Sequence, residues 1–224
     1  MLMNIPKLNI SRSLGKALLA VAVMAATAAG LQAQTTAAQV FANAPDEVFP
    51  LLDKNTRLDM IDYYNSGMTT ASGNNVNGKS RITRLTPQAL DIEMSAASDY
   101  QLSLIPMAGD SLVALIVTVK SPAPDSRIDF YDSGWHHMAD GKYFAKPSMT
   151  DWLTDEGRKN AADVDAFVPF LLVSYSYSPE TGLLTLTNNT KEFLSPDIYE
   201  MVGGYLKPQL VYKWNGKKFS PAGA

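Results

Sequence analysis

Between residues 90 and 104 apolar and polar side chains alternate: Leu90, Ile92 and Met94 are interleaved with Asp91 and Glu93, and Tyr100, Leu102 and Leu104 with Gln101 and Ser103. A period of two sends the two sets to opposite faces of a strand, so this stretch predicts an antiparallel pair with one dry face, joined by a turn at Ser98-Asp99. Leu112 to Val119 is apolar without alternation, which predicts a central strand covered on both faces. Arg127 to Tyr131 returns to alternation, with Ile128 and Phe130 inward and Asp129 outward. Phe167–Tyr177 and Gly182–Thr187 form a further strand pair. Leu210–Trp214, Asn215-Gly216 and Lys217–Phe219 close the chain as a hairpin, because Asn-Gly supplies the positive φ that tight hairpin turns need.

The period lengthens where helices are expected. Pro45–Leu52 and Asn55–Ser66 read as two short helices, the second capped by Asn55 and ended by Gly67. Leu58, Ile61 and Tyr64 give the second helix an apolar face, with Arg57, Asp59 and Asp62 mostly off it; it reads as a packing helix without catalytic pattern. Residues 132–163 form a long polar connection with a short helix from Thr150 to Asn160. Pro196–Tyr205 reads as a helix with Ser195 at its N-cap. The sum is an α+β protein: antiparallel meander sheet or sheets of about eight or nine strands, with three or four short helices packed on one face. Whether the strands make one sheet or two stays open at this point.

The first residues change the domain boundaries. Lys7, Arg12 and Lys16 precede the apolar or small run Ala17–Leu31, the order of a secretory signal, and that run is short of the roughly 20 residues a spanning helix needs. Residues 1–33 are therefore expected to be a cleavable signal peptide, cut after Ala33, and residues 34–224 a single α+β domain with possible sub-halves 34–133 and 134–224. The expected location is the periplasm or the exterior, with no membrane insertion once the signal is removed.

Composition then narrows the chemistry. With Lys7, Arg12 and Lys16 removed, 19 basic residues become 16 against 22 acidic ones, and the net charge moves from −3 to −6. Such a chain has no electrostatic reason to hold nucleic acid. The absence of cysteine rules out disulfides, thiolate metal sites, cysteine nucleophiles and lipid attachment at a cysteine, and it suits an oxidising compartment.

The only histidines, His136 and His137, lie between Asp132 and Asp140 and beside Trp135. Two imidazoles and two carboxylates within so short a span could form a binding or metal-assisted site. Adjacent histidines point to opposite sides of an extended chain, however, and no His-Glu-x-x-His spacing occurs, so the same residues fit a polar loop with Trp135 in the core better than a site. No Gly-x-Ser-x-Gly elbow and no glycine-rich phosphate loop is present. Neither a metal nor another cofactor is expected. Tyr175, Tyr177, Tyr205, Tyr212, Trp214 and Phe219 crowd the C-terminal strands, where rings serve packing or a sugar or peptide platform. Asp110-Ser111-Leu112 resembles the short Asp-Ser/Thr-aliphatic signal for O-glycosylation of exported proteins in some Gram-negative bacteria, marking Ser111 as a candidate modification site.

Across Pro45-Asp46, Phe49-Pro50-Leu51-Leu52, the run Asn55–Tyr64, Asn77-Gly78-Lys79-Ser80, Val117-Thr118-Val119 and Leu210–Trp214, the chain resembles an uncharacterised family of exported proteins from Gram-negative anaerobes, known only as a domain of unknown function. The resemblance implies export, one domain and bacterial origin, and no catalytic residue. The resulting expectation is a non-catalytic envelope protein that binds a protein or glycan. The alternative is an envelope hydrolase or metal-dependent enzyme using His136 or His137 with nearby aspartates.

Overall fold

The computed structural model describes residues 35–222 apart from 69 and 108, so the expected signal segment with Lys7, Arg12, Lys16 and the Ala33 junction lies outside the described residues. The first element, α1 (Ala37–Ala42), is a helix the hydrophobic pattern did not announce. It starts on a reciprocal capping box in which the Thr36 N–H donates to Gln39 Oε1 at 3.0 Å and the Gln39 N–H to Thr36 Oγ1 at 3.3 Å.

Residues 45–52 are not the helix expected. They form two successive turns, closed by the Val48 N–H to the Pro45 carbonyl and the Leu52 N–H to the Phe49 carbonyl. Pro50 has no N–H to donate, and its ring obstructs the carbonyl four residues back, so a helix cannot run through it. The next helix, α2 (Lys54–Asn65), is capped by Asp53 rather than Asn55, with the Thr56 N–H donating to Asp53 Oδ1 at 2.7 Å. Its buried face is also shifted. Met60 and Arg57 are buried, Arg57 to 1 % exposure, whereas Leu58 is 43 % exposed.

Ten strands follow. β1 (Ser72–Gly73), β2 (Lys79–Leu85), β3 (Ala89–Ser95), β4 (Ser98–Met107), β5 (Asp110–Val119) and β6 (Asp125–Tyr131) make one antiparallel sheet in chain order. The β3–β4 turn lies at Ala96-Ala97, earlier than expected, because Ser95 and Ser98 face each other as a pair and share a 2.9 Å hydroxyl hydrogen bond. The helical connection then contains α3 (Met149–Trp152), α4 (Asp155–Lys159) and α5 (Ala161–Phe167), in place of one helix from Thr150 to Asn160 and a strand beginning at Phe167. Thr154 separates α3 from α4 by capping the latter, its Oγ1 accepting from the Gly157 N–H at 3.0 Å. The second sheet comprises β7 (Val173–Ser178), β8 (Leu183–Asn188), β9 (Gln209–Trp214) and β10 (Phe219–Pro221). Between β8 and β9 lie α6 (Thr190–Phe193), α7 (Pro196–Val202) and a short 3₁₀ turn, Gly203–Tyr205; α7 has the expected Ser195 cap and Pro196 at its first turn.

The α+β meander class read from the sequence is thus the observed one, resolved into a six-stranded and a four-stranded sheet with seven helices among the described residues. β5 explains the layering. Val113 and Leu115 point to a core shared with Phe41, Phe49, Leu52 and Met60, while Leu112, Ala114 and Ile116 point to a core shared with Tyr175, Leu184 and Phe219 of the second sheet. The six-stranded sheet is therefore the middle layer, with α1 and α2 on one face and the four-stranded sheet on the other. The remaining helices gather around a smaller cluster of Leu153, Val164, Val168, Val202 and Leu206.

β7, an edge strand of its sheet, does not leave its outer N–H groups to solvent. Those of Val173, Tyr175 and Tyr177 donate to Asp125 Oδ1 at 2.9 Å, Ser126 Oγ at 3.0 Å and Gln101 Oε1 at 2.7 Å, side chains of the other sheet. These bonds fasten the sheets together and block strand addition at that edge.

Candidate functional site

α2 ends in a Schellman motif: the Gly67 N–H donates to the Tyr64 carbonyl and the Met68 N–H to the Tyr63 carbonyl at 2.9 Å, with Gly67 at φ 68°. That φ suits glycine, and the motif folds the chain back so that Met68 and Tyr63 border the same space. Opposite them runs β2. Between helix and strand is a cleft of about 600 Å³, with Met60, Tyr63, Tyr64 and Met68 on the helix side and Arg81, Ile82 and Thr83 on the strand side. Thr70 and Ser72 close one end.

On β2, Arg81 alternates with the core-facing Ile82, so its side chain lies over the other face of the sheet. The Arg81 Nε donates to Glu93 Oε2 at 2.6 Å, and that bond holds the Glu93 carboxyl below the usual carboxylate range. A register shift between Ile82 and Arg84 leaves Thr83 as an extra residue in β2, and its hydroxyl donates to the Asp91 carbonyl at 3.3 Å. Ser72 Oγ is buried without a partner among the described residues. Among the described lining residues none is Asp or Glu, and Arg81 directs its guanidinium to Glu93.

A second, polar groove of about 460 Å³ lies on the opposite face of the same sheet, lined by Asp91, Glu93, Asp99, Gln101 and Lys120. Glu93 and Asp99 are directly opposite in register, an unfavourable like-charge pair that Arg81 and Lys120 offset, the latter at 2.7 Å from Asp99. These charges already pair with one another.

The histidine constellation separates into two parts. Asp132 accepts the N–H groups of Gly134 and His136, each at 2.9 Å, and its Oδ2 lies 2.9 Å from His136 Nδ1; these bonds hold its carboxyl below the usual range. The His136 side chain is 83 % exposed. His137 turns instead to the Tyr131 ring, its Nε2 lying 4.0 Å from Asp129 and 3.8 Å from Asp140. Among the described residues no three His, Asp or Glu side chains converge as a metal site. Trp135 is buried at φ 65°, its indole N–H donating to the Val40 carbonyl at 3.1 Å and its ring meeting Phe49 edge-on. The indole locks this loop onto α1. Asp140 and Asp129 border a smaller cleft of about 240 Å³ that neither histidine lines.

Ser111 sits near the β4–β5 hairpin, paired in register with Pro106. Asp110 accepts from the Ser111 N–H at 2.7 Å and from the Ser133 hydroxyl at 3.1 Å. Of the C-terminal aromatics, Tyr175, Tyr177 and Phe219 are buried between the sheets with Tyr212 and Trp214 packed against them, and Tyr205 joins the smaller helical cluster. They are core. The cleft residues Tyr63, Met68, Arg81 and Thr83 were not singled out from the sequence. The available signal was local, a pair of tyrosines one turn before Gly67, and it looked like the end of a packing helix.

A six-stranded meander flanked by a helix pair and a four-stranded meander, with a ligand-sized cleft under one helix, defines an α+β domain. The chain belongs to the DUF3256 family, a family of proteins of unknown function, whose model matches residues 28–219. The fold is similar to a solved domain of an uncharacterised protein from Porphyromonas gingivalis, at a TM-score of 0.71 and 21 % identity over 84 % of this chain and 98 % of that one. No curated protein matches. Among the described residues no helix is long and apolar enough to cross a membrane.

Proposed function

We infer that this is an exported, non-catalytic binding protein of the cell envelope, working in the periplasm or outside the cell, with its protein or glycan ligand held in the α2–β2 cleft. The observation that carries the reading is the lining: tyrosine rings and hydroxyls in a volume within the usual range of ligand sites, with no carboxylate pair for acid–base work among the described lining residues. Export rests on the basic start and the Ala17–Leu31 run. The two histidines, held to different carboxylates, lend no geometry to a hydrolase or metal enzyme. The test is retention of glycan and peptide fractions of envelope extract on immobilised protein. A ligand retained by the native chain, lost from Tyr63→Ala and Met68→Ala, and recovered with unchanged mass supports the reading; retention indifferent to both variants, or a ligand recovered cleaved, contradicts it.

A further inference from the structure

We propose that the α2–β2 cleft is a carbohydrate site, taking a short oligosaccharide rather than a peptide. The proposal rests on that cleft being the binding site and adds the chemical class.

The lining matches the chemistry of a sugar. Tyr63, Tyr64 and Thr70 supply hydroxyls, each able to donate and accept, which is what a polyol of the same character requires. Ser72 Oγ, at the end of the cleft, has no partner among the described residues. The tyrosine rings offer apolar faces for the C–H side of a pyranose.

The strand side argues against a peptide. Among the described residues, β2 has no outer neighbour beyond Ser80, since β1 pairs only with Lys79 and Ser80. An open edge of this kind is where an extended peptide adds as a new strand. Here the edge carries Arg81 and Arg84 and is broken by the bulge at Thr83, the devices by which proteins block such pairing. The backbone ladder a peptide uses is interrupted, while the side-chain hydroxyls a sugar uses are intact.

The experiment is a titration followed by methyl NMR of the methionines, with hexasaccharides of β-linked glucose, xylose, mannose and N-acetylglucosamine, oligosaccharides released from envelope extract, and an acidic extended decapeptide. The expected result is saturable shifts at Met60 and Met68 with at least one oligosaccharide, weakened about tenfold in Tyr63→Ala. Tyr63→Phe, which keeps the ring, retains most of the affinity, and native shifts at Met138 and Met201 in Tyr63→Ala show that its loss is not misfolding. Shifts at these methyls with the peptide and with no sugar overturn the carbohydrate assignment but leave the cleft as a binding site. Silence at Met60 and Met68 with every probe overturns both.

Discussion

Arg57 offers a sharp test of how the helix layer is held. Its guanidinium is buried and donates to the carbonyls of Leu52 and Ala44, each at 2.6 Å, and to Asp46 Oδ1 at 3.0 Å. Two accounts of its worth differ in what they predict. If the ion pair matters, removing either charge is costly. Asp46 is 68 % exposed, however, and such a pair contributes under about 1 kcal/mol. The carbonyls belong to residues with almost no exposure, and each loses its donor when Arg57 is removed. At about 1–3 kcal/mol per orphaned group, and with water entering part of the vacated space, Arg57→Ala is expected to cost about 3 kcal/mol. Arg57→Met keeps most of the volume without the donors, and its cost is expected to be similar. Asp46→Ala is expected to cost less than about 1 kcal/mol. Equilibrium urea unfolding of the three variants measures these values. An Asp46→Ala loss equal to that of Arg57→Ala, or an Arg57→Met loss below about 1 kcal/mol, refutes the carbonyl account.

Other consequences follow from single contacts. Burial pushes the Tyr175 phenol up to about 12, with the Asp125 carboxylate nearby adding to the effect. A folded-state value above the unfolded one means that unfolding releases a proton between the two, so stability falls as pH rises from about 10 to about 12; Tyr175→Phe flattens that part of a pH–unfolding curve, and an unchanged slope counts against the burial. Asp132 has the opposite sign, its carboxyl held low by bonds from His136, so its contribution is present above the unfolded value and is lost as acid protonates it. Asp132→Asn should remove that acid-side dependence from the loop's amide exchange. A methyl at Gly157 would overlap the Tyr205 carbonyl where α4 meets the 3₁₀ turn, and Gly157→Ala is expected to lower stability by about 1–3 kcal/mol in calorimetry. Intact mass spectrometry of natively produced protein tests Ser111: a mass above the bare mature polypeptide that returns to it in Ser111→Ala marks the modification, and a bare mass in the native chain dismisses it.

What could be read from the sequence follows the reach of each interaction. The run Leu112–Val119 announced a doubly covered strand because a β5 position facing either layer had to be apolar, and Asn215-Gly216 announced its hairpin because Gly216 takes φ 90°. Local chemistry that was present but unread explains α1, whose capping box spans only Thr36 to Gln39. Arg57 was placed off the apolar face because a guanidinium ordinarily seeks water. It is buried because the Pro45–Leu52 segment turns back over it and presents two carbonyls, an arrangement with no signature in the spacing of α2. The cleft was hidden for a related reason. Tyr63 and Ile82 come together only when β2 is laid against α2, and nothing in either segment alone distinguishes a ring that packs from a ring that borders a cleft. Trp135 was legible as a core residue, but its hydrogen bond to Val40, far away in the chain, was not.

The central claim, that the α2–β2 cleft is where this protein meets its ligand, is tested most directly by the methionine methyl spectrum during addition of the fraction that the immobilised protein retains. The account predicts saturable shifts at Met60 and Met68, with Met138 beside the histidine loop and Met201 on α7 unmoved. Shifts at Met138 with a silent Met60 and Met68 contradict it and return the site to the loop around His136 and His137.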